Sequence, residues 1–424
     1  IGLIYLLYVR EGTPLRKVPG PFLASFSKLW MVYKTREFKR HELDQELHKK
    51  YGSVVRIGPT YVSVSSPAAL KTIYEIAGGS KDGLDLLPEK NMEKYRLQRR
   101  LMGPTYSSGQ VKDYEAALDK AVSDNVAIMH EIAGKPENVD LWFNYFALGR
   151  LPLSNCHELQ LIMLDCLSSA TFSKSYGMIR KGHDDGSIAG VHDSWYFMHW
   201  AGFVPTFIKY RKIFLSFIAR LSSPASSKGL PPMFSNETSV ESLDLAAKVF
   251  QIEAAKPEWR DDWSVNMIMT NFGAGVETIA VSISEVIIQS ISNPDVRSKI
   301  HAEIDKAKKE NRISDPLKLG ELQRELPYLH ACIDEAMRLH NVIGVMLPRV
   351  VPDSGVTIGG YFIPGGTTIG INPWVLGRDK SLYGSDAEIF RPERWLEMTP
   401  EKRSSLEKYS MRFGTGARSC PGQS

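Results

Sequence analysis

The stretch that decides the fold lies near the carboxyl end of the sequence and reads FGTGARSCPG over residues 413–422. It combines an aromatic residue, flexible glycines, a cation and a thiol at fixed offsets. A thiolate that ligates iron needs its charge tempered by backbone N–H groups, and glycines let a tight backbone bring those groups close to the sulfur. Five fixed positions recur by chance in roughly one of several thousand chains of this length. A glycine-rich surface turn around a buried free cysteine is therefore the weaker interpretation.

The spacing within this cysteine loop (residues 413–422) suggests a role for each position. Arg418 lies two residues before Cys420, so we expect it to project toward an anionic group beside the metal, such as a haem propionate. Gly422 would leave room for a macrocycle, and Phe413 would keep water from the sulfur.

The loop resembles the signature of the cytochromes P450, the haem-thiolate monooxygenases. The matching residues are Phe413, Gly416, Arg418, Cys420 and Gly422. The resemblance implies a mostly α-helical fold with small β-sheets and a long central helix over the haem. It also implies that Cys420 is the axial ligand of haem b, where electron donation from the thiolate favours O–O cleavage.

Composition sets broad limits. The chain has 424 residues, of which 43% are hydrophobic, and this is enough for one large buried core. The 52 basic and 48 acidic residues give a net charge of only +4, so composition gives no argument for nucleic acid as a partner. The four cysteines (Cys156, Cys166, Cys332 and Cys420) show no zinc-site spacing and are expected to be reduced thiols.

The amino-terminal end suggests attachment to a membrane. Residues 1–9 are an apolar run, too short for the roughly 20 residues that cross a bilayer. They are either the end of a longer membrane helix or a short buried segment, and the missing methionine and the following charges favour the first. Residues 1–21 are thus predicted to be a residual anchor with a proline-rich hinge. By resemblance, the catalytic domain faces the cytosol on the endoplasmic reticulum membrane.

A long apolar segment, residues 262–293, predicts a central buried helix that ends before Pro294. In its middle, Glu277 and Thr278 supply an acid and a hydroxyl within one turn. Small residues beside them would let a flat ligand approach the backbone. The family pattern is matched here by Ala274, Gly275, Glu277 and Thr278. The resemblance implies that the last two form a proton relay, whereas the alternative is that Thr278 only bonds back to its own helix.

Further charged residues are assigned by the same resemblance. Arg99 and Tyr95 occupy the positions of an Arg and of an aromatic residue that contact the haem propionates, although the family has Trp or His where Tyr95 stands. Arg349 is expected to contact a propionate as well. Glu335, Arg338 and Arg394 match a Glu-x-x-Arg helix and a later Pro-Glu-Arg segment, which implies a buried charged network of structural value.

Shorter elements are predicted from local patterns. A β-hairpin is expected over residues 54–57 and 61–64, a helix over 66–76, and short strands over 356–371. Residues 222–236 are rich in Ser, Pro and Gly and predict an exposed linker.

Two features depart from the family pattern. Residues 148–164 contain Gly149 and Pro152 and interrupt what would otherwise read as one helix, so we interpret them as an insertion or a gene-model artefact, and the alternative is a genuine loop that bulges from the surface. The chain also stops soon after the cysteine, so residues 22–424 are expected to form a single catalytic domain that lacks its final helix and β-region.

The sequence therefore predicts a monooxygenase that inserts one oxygen atom from O₂ into a small apolar substrate. Electrons are expected to come from NADPH through cytochrome P450 reductase, with cytochrome b5 as a second partner. The segments 18–24 and 348–352 resemble fungal enzymes of secondary metabolism related to pisatin demethylase. Two alternatives stay open: a non-catalytic, truncated haem-binding remnant, and an O₂-independent isomerase or dehydratase, which the Glu277–Thr278 pair disfavours.

Overall fold

The computed structural model describes residues 10–36, 39–76, 92–133, 157–181, 244–259 and 261–423. Over these residues the fold is mostly helical, with one four-stranded and one two-stranded sheet. The longer α-helices span Leu29–Thr35, Arg40–Tyr51, Met92–Met102, Ser108–Ala133, His157–Phe172, Leu245–Ala255, Asp261–Ser292, Pro294–Lys309, Leu319–Glu325, Pro327–Leu339 and Pro400–Glu407. Short α-helical turns span Ala69–Lys71, Met178–Lys181, Pro373–Leu376, Lys380–Tyr383 and Glu393–Leu396, and short 3₁₀ turns span Pro14–Lys17, Leu23–Ser25, Gly103–Tyr106, Gly416–Arg418 and Pro421–Gln423.

The larger sheet has the strand order β1-β2-β6-β3. Its strands are β1 (Val54–Gly58), β2 (Tyr61–Val64), β3 (Leu347–Val350) and β6 (Thr368–Ile371), and the smaller sheet pairs β4 (Val356–Ile358) with β5 (Tyr361–Ile363). The hairpin predicted over 54–64 is confirmed by the antiparallel pairing of β1 with β2, as are the short strands over 356–371. Strand β6 runs parallel to β2 and antiparallel to β3. It therefore joins the amino-terminal hairpin to the strand that carries Arg349.

The proline-rich hinge packs on this sheet. The backbone N–H of Arg56 donates to the carbonyl of Pro19 over 2.7 Å, and Val18 is buried. A Cβ atom added to Gly20 would lie 2.2 Å from the carbonyl oxygen of Arg56, so only glycine fits at this approach. The hinge thus holds a fixed position against β1.

The long central helix spans Asp261–Ser292, within one residue of its predicted bounds at each end. It packs against the helices His157–Phe172 and Pro327–Leu339, where Val276 and Ala280 are buried. Its part Trp263–Ser292 is long and apolar enough to cross a membrane by length and composition. Pro294 does more than stop this helix: it is the first residue of the next helix, a position that suits a residue without a backbone N–H.

The segment predicted to be an insertion, residues 148–164, is described only from residue 157 onward. There, one continuous helix (His157–Phe172) includes the end of the segment, and Gln160, Leu161 and Ile162 are buried. The helix break expected over the whole segment therefore does not extend to residues 157–164, because their apolar side chains complete the core against the central helix. An inserted origin of the segment stays a prediction.

The helix predicted over 66–76 takes an unexpected form. A short α-helical turn, Ala69–Lys71, continues as a π-helical turn over Thr72–Ile76. Such turns are rare and frequently occur at functional sites. The predicted anchor at residues 1–9 and the linker at 222–236 lie outside the described residues.

Candidate active site

The cysteine loop is closed by backbone hydrogen bonds. The N–H of Cys420 donates to the carbonyl of Phe413 over 2.7 Å, and the N–H of Ser419 donates to the carbonyl of Gly416 over 3.1 Å. Gly414 and Gly416 both have φ = +70°, a left-handed conformation that favours glycine. This geometry presents an exposed Cys420 side chain at the end of a tight turn.

Gly416 is also fixed by its surroundings. A Cβ atom at this position would lie 2.6 Å from the carbonyl oxygen of Tyr74, so the loop backbone rests directly on the π-helical turn. At Gly422, an added Cβ atom would lie 3.7 Å from the Cys420 sulfur, an ordinary contact distance. Gly416 is therefore required by protein packing, whereas the space next to the sulfur at Gly422 would admit a Cβ atom.

Three arginines that were predicted to contact propionates lie around the loop, and we call them the arginine cluster (Arg99, Arg349 and Arg418). Arg99 Nη2 donates to the carbonyl of Ser419 over 2.9 Å. The guanidinium of Arg418 lies 3.9 Å from the ring centroid of Tyr95, and that of Arg349 lies 4.7 Å from the ring centroid of Tyr74. The helix Met92–Met102, strand β3 and the cysteine loop thus each contribute one cation.

The electrostatics of this cluster favour an anionic ligand. Burial lowers the pKa of Arg349; the neighbouring Tyr74 opposes this shift and the positive charge of Arg418 adds to it. Arg349 and Arg418 carry like charges, and an anion that binds between them offsets their repulsion. The exposed thiol, the space bounded by glycines and the guanidinium groups match what haem requires. The sulfur would bind the iron, and the cations would bind the two propionates.

Tyr95 has a contact that the sequence did not reveal, while its expected contact with a propionate stays a prediction. In the structure the ring face of Tyr95 lies against the guanidinium of Arg418. The ring is thereby engaged with the cation that was itself expected to contact the propionate.

In the central helix, the hydroxyl of Thr278 is already engaged. Thr278 Oγ1 donates to the carbonyl of Ala274 over 2.7 Å, the back-bonding geometry considered as the alternative to a relay. A hydroxyl has one donor and two acceptor positions, so the oxygen can still accept a hydrogen bond. At Gly275, an added Cβ atom would lie 2.8 Å from Leu167 Cδ1, so close packing against the neighbouring helix explains this glycine. The neighbouring Ala274 is exposed.

Gln160 is a contact that the sequence did not reveal. Its side chain is fully buried at 0% exposure, and Nε2 donates to Glu277 Oε2 over 3.0 Å. The only signal in the sequence is an amide among the apolar residues Leu159, Leu161 and Ile162. The segment interpreted as an insertion therefore supplies a partner for the relay carboxylate.

The structure brings the predicted charged network together. Glu335 accepts from Arg338 over 2.7 and 2.8 Å and from Arg394 Nε over 2.9 Å. The backbone N–H of Arg391 and the indole N–H of Trp395 each donate to the same carboxylate over 2.9 Å. The remaining guanidinium nitrogens bond to backbone carbonyls, such as Arg338 to Ala387 over 2.6 Å. The network therefore fixes the irregular chain between residues 377 and 395 to the helix Pro327–Leu339.

Glu335 stays ionised despite its burial. Desolvation alone would raise its pKa, but the hydrogen bonds and charge of Arg338, the Arg391 N–H and the charge of Arg394 outweigh this and lower it. By contrast, His340 lies 3.2 Å from Glu285, and burial lowers its pKa to about 4. His340 is therefore a neutral, partly buried residue.

The fold and the site together define a haem-thiolate enzyme in which a loop cysteine supplies the metal ligand. A family model described as cytochrome P450 matches residues 19–424. The chain belongs to the cytochrome P450 family and is an oxidoreductase of the monooxygenase class, which binds haem iron and generally uses O₂ and a redox partner.

Curated relatives are fungal monooxygenases. Cytochrome P450 monooxygenase sdnT of Sordaria araneosa is 28% identical over 98% of this chain and 84% of its own length. Cytochrome P450 monooxygenase cicH of Emericella nidulans is 29% identical over 99% of this chain and 86% of its own. Pisatin demethylase of Fusarium vanettenii is 28% identical over 100% of this chain and 82% of its own. The predicted resemblance to fungal members, including pisatin demethylase, is thereby confirmed.

Proposed function

We propose that this protein binds haem b through the Cys420 thiolate, with the propionates on the arginine cluster, and hydroxylates a small apolar molecule. The observation that carries the proposal is the exposed thiol on a hydrogen-bonded, glycine-bounded loop beside three arginines. When bound, the haem supplies the activation of O₂ and the transfer of one oxygen atom to a C–H bond. Binding of the ligand, exclusion of water and transfer of protons depend on residues of this chain.

Each of these residues acts on the ligand or on a proton. The backbone N–H groups of the loop temper the charge on the Cys420 sulfur, and Phe413 keeps water from it. Ala274 lets the flat ligand approach the central helix. Thr278 accepts a hydrogen bond at Oγ1, while Glu277, oriented by Gln160, exchanges protons with water. The proposed relay therefore runs along one turn of the central helix.

The substrate and partners are proposed from the family and its relatives. We infer an apolar metabolite of fungal secondary metabolism as substrate, and NADPH-cytochrome P450 reductase as electron donor, with cytochrome b5 as a second donor. The proposed location is the cytosolic face of the endoplasmic reticulum membrane. In support, Phe22, Leu23 and Leu29 are exposed apolar side chains directly after the hinge.

The test is the reduced carbon-monoxide spectrum of the purified protein and four cysteine variants. We expect a thiolate-type Soret band from the native protein, from Cys166→Ala and from Cys332→Ala, because both of these thiols are buried elsewhere. Cys420→Ala should lose that band, and Cys420→His should shift it to the position typical of imidazole-ligated haem. A thiolate-type band in Cys420→Ala would show that another cysteine is the ligand.

A further inference from the structure

We propose that Tyr74 and Tyr95 are positioning residues, whose ring faces hold Arg349 and Arg418 in the orientation that receives the haem propionates. This inference rests on the proposed haem site, but it concerns ring faces that act on the arginines and not on the cofactor. It gives the ring of Tyr95 a role through Arg418, whereas the family pattern implies contact of this side chain with a propionate, and it also gives Tyr74 a role.

Tyr95 and Arg418 form the closer of the two pairs. The centre of the guanidinium lies 3.9 Å from the ring centroid, well within the 6 Å limit of a cation–π contact. Tyr95 lies on the helix Met92–Met102, one turn before Arg99, which bonds to the carbonyl next to Arg418 in the chain. One helix therefore contacts the end of the cysteine loop at two points.

Tyr74 contacts Arg349. The guanidinium of Arg349 lies 4.7 Å from the ring centroid of Tyr74, and the same arginine donates from Nη1 to the carbonyl of Pro348 over 2.8 Å. The ring of Tyr74 is held by burial in an apolar cluster, and its hydroxyl also donates to Leu347 O over 2.9 Å and accepts from Ile371 N over 3.0 Å. These two residues face each other across β3 and β6.

Tyr74 is also in contact with the cysteine loop through its backbone. Its carbonyl oxygen lies where a side chain at Gly416 would have to go. The π-helical turn Thr72–Ile76 thus presents the carbonyl of Tyr74 to the loop and the ring to Arg349. Burial raises the pKa of Tyr74 to about 12, so the phenol stays neutral and serves as a hydrogen-bond bridge.

Physical chemistry explains why such supports are needed. Two guanidinium groups near one another repel, and each long side chain loses rotamer freedom when it is ordered. A ring face attracts a guanidinium through its quadrupole and leaves the N–H edges open for carboxylates. Pre-ordering the two cations lowers the cost of binding the propionates, so loss of a ring should weaken haem binding while the iron–sulfur bond persists.

The experiment separates the ring from the hydroxyl at each position. Tyr74→Phe, Tyr74→Leu, Tyr95→Phe and Tyr95→Leu are loaded with haem, and the rate of haem release to excess apomyoglobin is measured. Both Phe variants should release haem within about twofold of the native rate, because the ring face stays. Both Leu variants should release it about tenfold faster, the range of a partly desolvated cation–π contact. The ferric/ferrous potential should fall in the Leu variants only, since ordered positive charge favours the reduced state.

Tyr328 provides a matched control. It is a buried tyrosine whose hydroxyl donates to Glu393 over 2.9 Å and whose ring lies 5.5 Å from Lys299 Nζ, away from the loop. Tyr328→Leu should lower thermal stability and leave haem release and potential unchanged.

Three outcomes would overturn the inference. Faster release in Tyr95→Phe, equal to that in Tyr95→Leu, would mean that the phenol itself bonds to the ligand. Native release and potential in both Leu variants would mean that the rings support nothing. If haem release and potential changed as much in Tyr328→Leu as in the site variants, the effect would come from a general loss of stability. Failure of the proposed haem site looks different, because the thiolate-type band would then be absent from the native protein as well.

Discussion

Asp334 accepts a hydrogen bond from the guanidinium of Arg412, so the helix Pro327–Leu339 holds the residue that directly precedes the cysteine loop. The second carboxylate oxygen of Asp334 accepts from Arg403 Nη2 over 2.6 Å. Asp334 is the neighbour of Glu335, which two other arginines bind. This helix therefore fixes the chain that leads to the cysteine loop, up to the residue directly before it.

We expect Arg412→Met to loosen the loop more than Arg403→Met. Removing one partner of a buried charged pair costs about 3 kcal/mol or more. In Arg412→Met, the thiolate-type carbon-monoxide band should therefore convert to a non-thiolate form at urea concentrations at which the native band persists. Arg403→Met removes a hydrogen bond to the same carboxylate from a helix outside the loop, and should keep the band. Equal sensitivity of the two variants would argue against a direct role of Arg412.

The Glu335 network predicts a dependence of stability on pH. The folded-state pKa of Glu335 lies below its ordinary value near 4.3, so its ionised form stabilises the fold above that pH. This contribution is lost as the pH falls through the lowered pKa. Arg394→Met should thus lower the free energy of unfolding by about 3 kcal/mol at pH 7.

Urea unfolding at pH 7 and at successively lower pH checks this dependence. The difference between Arg394→Met and the native protein should shrink at the acid end. Arg391→Met is the control, because Arg391 forms exposed pairs with Asp386 and Glu397 that are worth about 1 kcal/mol or less. A pH-independent difference for Arg394→Met would show that its packing, and not its charge, stabilises the fold.

Thr278→Ala should retain haem and divert electrons from product into hydrogen peroxide. A positioned proton-transfer group contributes about 10²-fold or more, so product formed per NADPH should fall at least about tenfold. Thr270→Ala is the matched control, because the hydroxyl of Thr270 donates to the carbonyl of Asn266 in the same helix over 2.7 Å. Peroxide and product are measured with the reductase and a substrate that shifts the ferric spectrum. A native product yield in Thr278→Ala would refute the relay.

Gln160→Leu should reduce the product formed per NADPH, because it removes the partner that orients Glu277. If the amide acts only by orienting this carboxylate, the double variant Gln160→Leu/Glu277→Gln will be no worse than Glu277→Gln alone, a non-additivity that residues in contact show. Asn271→Leu is the control, because Asn271 donates to Thr171 over 3.2 Å between the same two helices. Additive effects of the two substitutions would mean that Gln160 acts elsewhere.

The sequence predicts features made by residues that are close together in the chain better than features made by residues that are far apart in it. The cysteine loop, the central helix and the Glu335–Arg338 pair are local patterns, and their residues were identified from the sequence, those of the pair by resemblance to the family. The partner of each pattern was harder to predict. Tyr74 contacts both Leu347 and Ile371 only because β3 and β6 pair, and no local sequence pattern indicates this contact.

The role of a small residue was equally hard to read from the chain. Gly275 belongs to a motif that suggests ligand approach, yet its missing side chain is explained by Leu167 on another helix. No role was predicted for Gln160, which lies in the segment interpreted as an insertion, although the helix begins at His157 and buries that amide. Such contacts depend on tertiary packing, which overrides local propensity.

The coordination of the iron is the most direct test of the account. X-ray absorption at the iron edge of the ferric protein should show one sulfur scatterer in the first coordination shell, and it should be absent from Cys420→His. A shell of nitrogen and oxygen alone in the native protein, or a sulfur that persists in Cys420→His, would contradict ligation by Cys420.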